Sequence, residues 1–149
     1  MKTVAVISDT HGLLRDAVKA ELAAADCIIH AGDIDNDAVL DTLKQYGELY
    51  AVRGNNDKNC TTYLPQTLTV TIEGVRFYIV HNKNNVPRNV EDVDVLVYGH
   101  SHKYDATDVD GVLWLNPGSC GKKRFHLEVS MCRLIVDGCA YHIEKIVVP

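Results

Sequence analysis

An α/β fold is predicted for this chain: one domain over residues 1–149 whose second half is antiparallel. Three observations predict it. Short apolar runs alternate with amphipathic stretches through the first third, which reads β-α-β-α-β and implies a parallel sheet with right-handed crossovers. The later stretches are rich in β-formers and meet at the turn pairs Glu73-Gly74, Asp110-Gly111 and Asp137-Gly138. Polar residues able to hold a cation recur where the apolar runs stop, the place where open α/β sheets bind ligands.

The first strand is Val4-Ala5-Val6-Ile7, a continuous apolar run that reads as buried. It stops at Ser8, and Asp9 and His11 follow two residues apart. On an extended backbone, positions i and i+2 face the same way, so both side chains are expected to aim at one point past the strand's end. Residues 13–25 carry Leu14, Ala17, Val18 and Leu22 at helical spacing, an amphipathic helix over one face of the sheet. Residues 26–30 form the second strand and run into Ala31-Gly32-Asp33. A second helix is expected over 36–46, with Asp35 and Asn36 as capping candidates and Gly47 as its stop. The third strand, 49–52, ends in Arg53-Gly54-Asn55-Asn56-Asp57. Residues 68–72 and 75–80 form a hairpin ending in His81, and a polar loop over 82–89 leads to a buried strand at 93–98. That strand ends in Gly99-His100-Ser101-His102. Strands over 106–109 and 112–115 and a final pair, the last over 140–148, complete the chain.

A chain of 149 residues can bury a core without staples. Its net charge of −5 leaves no basic footprint for nucleic acid, and no apolar run approaches a membrane span. The N-terminus lacks the pattern of a secretory signal. Five cysteines, an odd number with no CxxC pair, read as reduced thiols in a cytoplasmic protein, with Cys27 in the core and Cys60 and Cys120 in loops.

The strand-end clusters are Asp9/His11, Asp33, Asn55, His81 and His100/His102. Four of the seven histidines fall in this set, and its other members are oxygen donors that divalent metals accept. Two sites sharing a bridging carboxylate would use these ligand types, and Asp33, preceded by Gly32, is the bridge candidate. Two ions about 3.5–4 Å apart would clamp the attacking and leaving oxygens of a displacement at phosphorus, with an acidified hydroxide between them as nucleophile.

The ordered series Asp9-x-His11, Gly32-Asp33-x-x-Asn36, Gly54-Asn55-x-Asp57, His81 and Gly99-His100-x-His102 resembles the calcineurin-like metallophosphoesterase superfamily. Asn116-Pro117-Gly118-Ser119 and the short length resemble its small YfcE-type phosphodiesterase branch. The resemblance implies a four-layer αββα sandwich with mixed β-sheets. It also implies a dinuclear centre in which Asp9, His11 and His102 hold one ion, Asn55, His81 and His100 the other, and Asp33 bridges. Manganese comes first among the expected metals, followed by iron, zinc, nickel or cobalt. Asp33, Asn55, Asn56 and Asp57 form the expected catalytic group, Asp57 orienting a loop; Asn56, His100 and Lys83 are expected to face a small phosphoester substrate. A homo-oligomer is compatible with this reading.

Two departures narrow it. Many superfamily members have Gly-Asn-His, whose histidine protonates the leaving group; here Asn56 stands in that position and cannot act as an acid. The branch usually reads His-Gly-His at the fourth motif, where this chain has His81-Asn82-Lys83, with Lys83 either on a phosphate or in solvent. Phosphodiesters with good leaving groups are therefore the expected substrates. The alternatives are a phosphomonoesterase and a non-catalytic scaffold that keeps the fold. His30 is expected to bond backbone rather than metal, and His126 and His142 to lie in the C-terminal strands.

Overall fold

In the computed structural model, which describes residues 1–60, 63–88, 90–124 and 126–149, two five-stranded sheets pack face to face. The first contains β1 (Lys2–Ile7), β2 (Cys27–His30), β3 (Glu48–Ala51), β9 (Ser130–Asp137) and β10 (Ala140–Val147), in the order β10-β9-β1-β2-β3. The second contains β4 (Thr67–Ile72), β5 (Val75–Val80), β6 (Val95–Val97), β7 (Asp105–Val109) and β8 (Val112–Asn116), in the order β4-β5-β6-β8-β7. Helices α1 (Asp16–Ala23) and α2 (Asp37–Tyr46) are the crossovers of the parallel run β1-β2-β3.

Alternation along the strands sets which face meets which. Val4 and Val6 join Ile29, Phe77, Ile79, Val95 and Val97 between the sheets, while Ala5, Ile7 and Ile28 face the other way, onto Val18, Leu22, Leu40 and Leu43 of the helices. Local chemistry ends α2 as expected: the Asn36 side chain accepts from Val39 N–H at 2.9 Å, and Gly47 closes the helix at φ 152°. α1 begins at Asp16 rather than at residue 13, because Arg15 is extended and its Nε donates to Gly121 O at 2.9 Å.

The second half is not purely antiparallel. β6 lies parallel to both β5 and β8, since the long connection over residues 81–94 carries the chain back to start β6 beside β5. The final hairpin leaves that sheet altogether and pairs β9 antiparallel to β1. His126 lies ahead of β9, exposed, rather than in a strand. Both sheets are therefore mixed, as the αββα sandwich requires. Its fourth layer is reduced here to the short 3₁₀ turn Lys83–Asn85 and its flanking loop, lying over Tyr78, Val80, Leu96 and Tyr98. The polar loop expected over 82–89 ends at Asn89, which lies outside the described residues. Among the described residues, no helix is long and apolar enough to cross a membrane.

Candidate metal centre

The C-terminal ends of β1, β2, β5 and β6 bring Asp9, Asp33, His81 and the pair His100/His102 to one rim of the sandwich. The loop after β1 runs beside the loop after β2: Asp9 N–H donates to Gly32 O at 2.9 Å and His11 N–H to Asp33 O at 3.0 Å. Neither Asp9 nor His11 is extended, so the expected reason for their convergence is corrected. Both are left-handed, at φ 55° and 47°, as are Asp33, Asp35, His100 and His102. A left-handed residue reverses the chain within one step, and this turns alternate side chains inward from loops rather than strands. Such conformations cost of order 1 kcal/mol each and persist where surrounding contacts fix them.

The imidazole Nε2 atoms of His11, His81 and His102 all face the carboxylates. Asp9 Oδ1 lies 3.7 Å from His11 Nε2, 3.5 Å from His102 Nε2 and 4.0 Å from His81 Nε2. Asp33 Oδ2 lies 3.2 Å from His81 Nε2 and 3.7 Å from His11 Nε2. Among the described residues, three clusters have their ligand atoms within 4.8 Å of one another: Asp9/His11/His102 and Asp9/Asp33/His81, both buried, and the all-carboxylate Asp33/Asp35/Asp57. His100 is more exposed and sits edge-on to His81, ring centroids 5.2 Å apart. Asn55 is exposed and lines, with His81, a groove of about 300 Å³ beside the clusters. Lys83 is not brought to the ligands: its Nζ lies 5.7 Å from the Tyr98 ring centroid, on the second sheet's outer side.

The contacts behind these ligands settle their orientation. Asp57 is buried and its carboxylate accepts four backbone N–H groups, from Asp33 and Gly54 on Oδ2 and from Ile34 and Asp35 on Oδ1, at 2.7–2.8 Å. It thereby fixes the Asp33 loop, and all its reach is spent on backbone. Asn56 contributes its N–H, which donates to Asp33 Oδ1 at 2.9 Å, while its side chain is exposed. His81 Nδ1 lies 2.7 Å from Ala31 O; only an N–H there makes a hydrogen bond, which leaves Nε2 with its lone pair toward the rim. His11 Nδ1 faces Asp35 Oδ2 at 3.3 Å. Sequence inspection had no signal for Ser8 and marked Ser119 only as the end of the Asn116–Ser119 motif; their hydroxyls donate to Asp9 Oδ2 and to Asp9 O. It did hold a signal in Gly54 and Gly99: a Cβ on Gly54 would collide with Asp33, and one on Gly99 with Ser8. His30 bonds as expected, accepting from Gly32 N–H on Nδ1 at 3.0 Å with Thr10 Oγ1 3.0 Å from its Nε2.

Charge follows the packing. The Asp9 carboxylate beside His11 raises its pKa against the effect of burial, with Asp35 and Asp33 adding to the rise. Burial works against the charged form of His81, yet Asp33 and Asp9 carry its pKa above the ordinary value. Burial also opposes the charged form of Asp33, but His81 and the Asn56 N–H hold its carboxyl well below the usual range. Burial depresses His102, and it pushes His30, sealed beneath the rim, down to about 4.

The donor set fits a divalent cation. Asp9 Oδ1 and His81 Nε2 are buried, lie 4.0 Å apart and have no hydrogen-bond partner. Such orphaned acceptors are costly unless a cation or water completes them. Imidazole and carboxylate together suit manganese, iron or zinc, and cation binding would displace the protons that the histidines otherwise attract.

Comparison with known proteins agrees. The chain is 34% identical to a probable metallophosphoesterase of Methanocaldococcus jannaschii, the match covering 90% of this chain and 76% of that protein. It is 28% identical to a phosphodiesterase of the same organism, over 78% of this chain and 83% of the other. Among solved structures, Vps29 of Chaetomium thermophilum superposes with a TM-score of 0.79 at 21% identity, covering 99% of this chain and 98% of that one. YfcE, a phosphoesterase from E. coli, superposes with a TM-score of 0.70 at 24% identity, covering 89% and 88%. These two show that the fold is shared. Residues 1–138 match the calcineurin-like phosphoesterase superfamily domain, and the chain belongs to that superfamily.

Proposed function

We propose that this chain is a cytoplasmic, single-domain phosphodiesterase that works with two divalent ions at the rim, manganese first among them. The observation that carries this reading is the pair of buried, unpartnered acceptors Asp9 Oδ1 and His81 Nε2 inside a ring of carboxylates and imidazoles. Asp9, His11 and His102 would hold one ion, Asn55, His81 and His100 the other, with Asp33 between them. Asp9 lies near enough to His81 to serve both sides. Bound there, the ions would supply Lewis-acid charge for phosphate oxygens and would acidify a water toward neutral pH.

The chain's own residues do the positioning. Ala31 O fixes the His81 tautomer, Asp57 fixes the loop that presents Asp33, and the His100 N–H donates to Asp9 Oδ2 at 3.1 Å, tying two ligand loops together. Asn56 offers no titratable side chain beside the ligands, so a leaving group must depart with little help from an acid. This favours diesters with good leaving groups over unactivated monoesters, and the Methanocaldococcus relative named a phosphodiesterase supports it.

The test is metal analysis of the isolated protein coupled to hydrolysis of bis(p-nitrophenyl) phosphate and p-nitrophenyl phosphate. The diester is expected to be the faster substrate. Asp33→Ala and His81→Ala are expected to lose at least ~10³-fold of metal-dependent activity while keeping the wild-type circular dichroism. Full activity in either variant sinks the reading. The alternative is a non-catalytic scaffold that keeps the fold. Metal binding with no turnover of either ester would favour it.

A further inference from the structure

The groove that opens beside the ligand cluster differs in chemistry from the cluster itself. It measures about 300 Å³, and Arg53, Gln66, Asn82 and Asn85 line it together with the ligand candidates Asn55 and His81. None of its lining residues is acidic, in a chain of net charge −5. Arg53 is exposed, and among the described residues no carboxylate lies within 4.0 Å of its guanidinium. Its backbone is fixed, the N–H donating to Pro65 O at 2.8 Å, so the side chain projects from an anchored position. Asn82 Oδ1 already accepts from Asn84 N–H at 3.0 Å, which leaves its amide N–H groups to donate. The wall thus offers several carboxamides and a guanidinium fork that has no carboxylate partner among the described residues.

We propose that this groove is a subsite for a second phosphate on the substrate, carried on a hydroxyl-bearing group such as a sugar, with Arg53 as its charge partner. The proposal rests on the phosphodiesterase reading, which places the scissile phosphate at the rim. A guanidinium presents paired N–H donors that match two phosphate oxygens at once. Carboxamides both donate and accept, which suits sugar hydroxyls, and the absence of acidic groups removes repulsion of a second anion. The volume sits at the small end of ligand pockets, enough for a sugar phosphate but not for an extended polymer. His81 belongs to both groove and cluster, so an occupant of the groove is directly continuous with a phosphate at the rim.

The test compares binding of uridine 5′-monophosphate and uridine 3′,5′-bisphosphate, which keeps its 2′-hydroxyl, to the manganese-loaded protein by calorimetry. Hydrolysis of the dinucleotide TpT is measured in parallel. The bisphosphate is expected to bind at least tenfold more tightly than the monophosphate. Arg53→Gln is expected to bring the two affinities within twofold, Arg53→Lys to restore part of the preference, and Lys44→Gln, a charge removed from the exposed end of α2, to leave it intact. No preference in the wild type, or a preference that survives Arg53→Gln, overturns the subsite. A preference without TpT hydrolysis upholds the subsite and counts against the phosphodiesterase reading; hydrolysis without preference does the reverse.

Discussion

The space between the sheets and the rim at their edge follow opposite rules. Between the sheets, Val4, Val6, Ile29, Phe77, Ile79 and Val97 are fully buried on extended backbone, and alternation alone places them. At the rim, Asp9, His11, Asp33, Asp35, His100 and His102 are left-handed, and buried acceptors lack partners. The core gains stability from regularity; the rim gives some of it up to hold ligand atoms where a cation can meet them. The rim keeps its shape because its loops are tied to each other, through Asp57, His30 and the Ser119 hydroxyl.

Substitutions can separate the two regions. Phe77→Ala, at the centre of the core, is expected to cost about 4 kcal/mol in urea unfolding. Metal content and activity per folded molecule should be unchanged; a parallel loss of metal would show that core and rim are coupled.

His30 lies where the two meet, and pH isolates it. Its folded pKa of about 4 lies below the ordinary 6.5, so the unfolded chain binds the proton more readily between those values. Its contribution is complete above about pH 7 and is lost as pH falls from 6.5 toward 4, by roughly 3 kcal/mol. His11 and His81, whose pKa values are raised, act in the opposite direction. The measurement is therefore the wild-type loss of stability from pH 7 to 4.5 minus that of His30→Gln; a difference near zero would remove His30 from the account.

Asp57→Asn tests the rim alone. The amide keeps one acceptor but turns N–H groups toward backbone N–H groups, at a cost of roughly 2 kcal/mol. Because Asp57 presents Asp33, manganese affinity should fall roughly 10- to 100-fold by calorimetry. Wild-type affinity would mean that the Asp33 loop holds its form without the carboxylate.

Much of this was legible in the chain. The β-α-β-α-β run, the Asn36 cap, the Gly47 stop and the hairpin at Glu73-Gly74 depend on neighbours in sequence, and they fold as read. The return of β9 and β10 to the first sheet was not legible, because strand partners more than a hundred residues apart leave no local mark. Lys83 follows His81 by two residues yet leaves the ligands, because the 3₁₀ turn beginning at Lys83 redirects the chain.

By itself, the sequence determined which residue types stand at the strand ends, and hence that a carboxylate and imidazole centre could form. Only the tertiary structure decided how Asp9 and His11 come together. Their convergence does not come from the period of a strand. It comes from left-handed turns that Gly32 O and Asp33 O, brought alongside from the next loop, hold by hydrogen bonds no local pattern could announce.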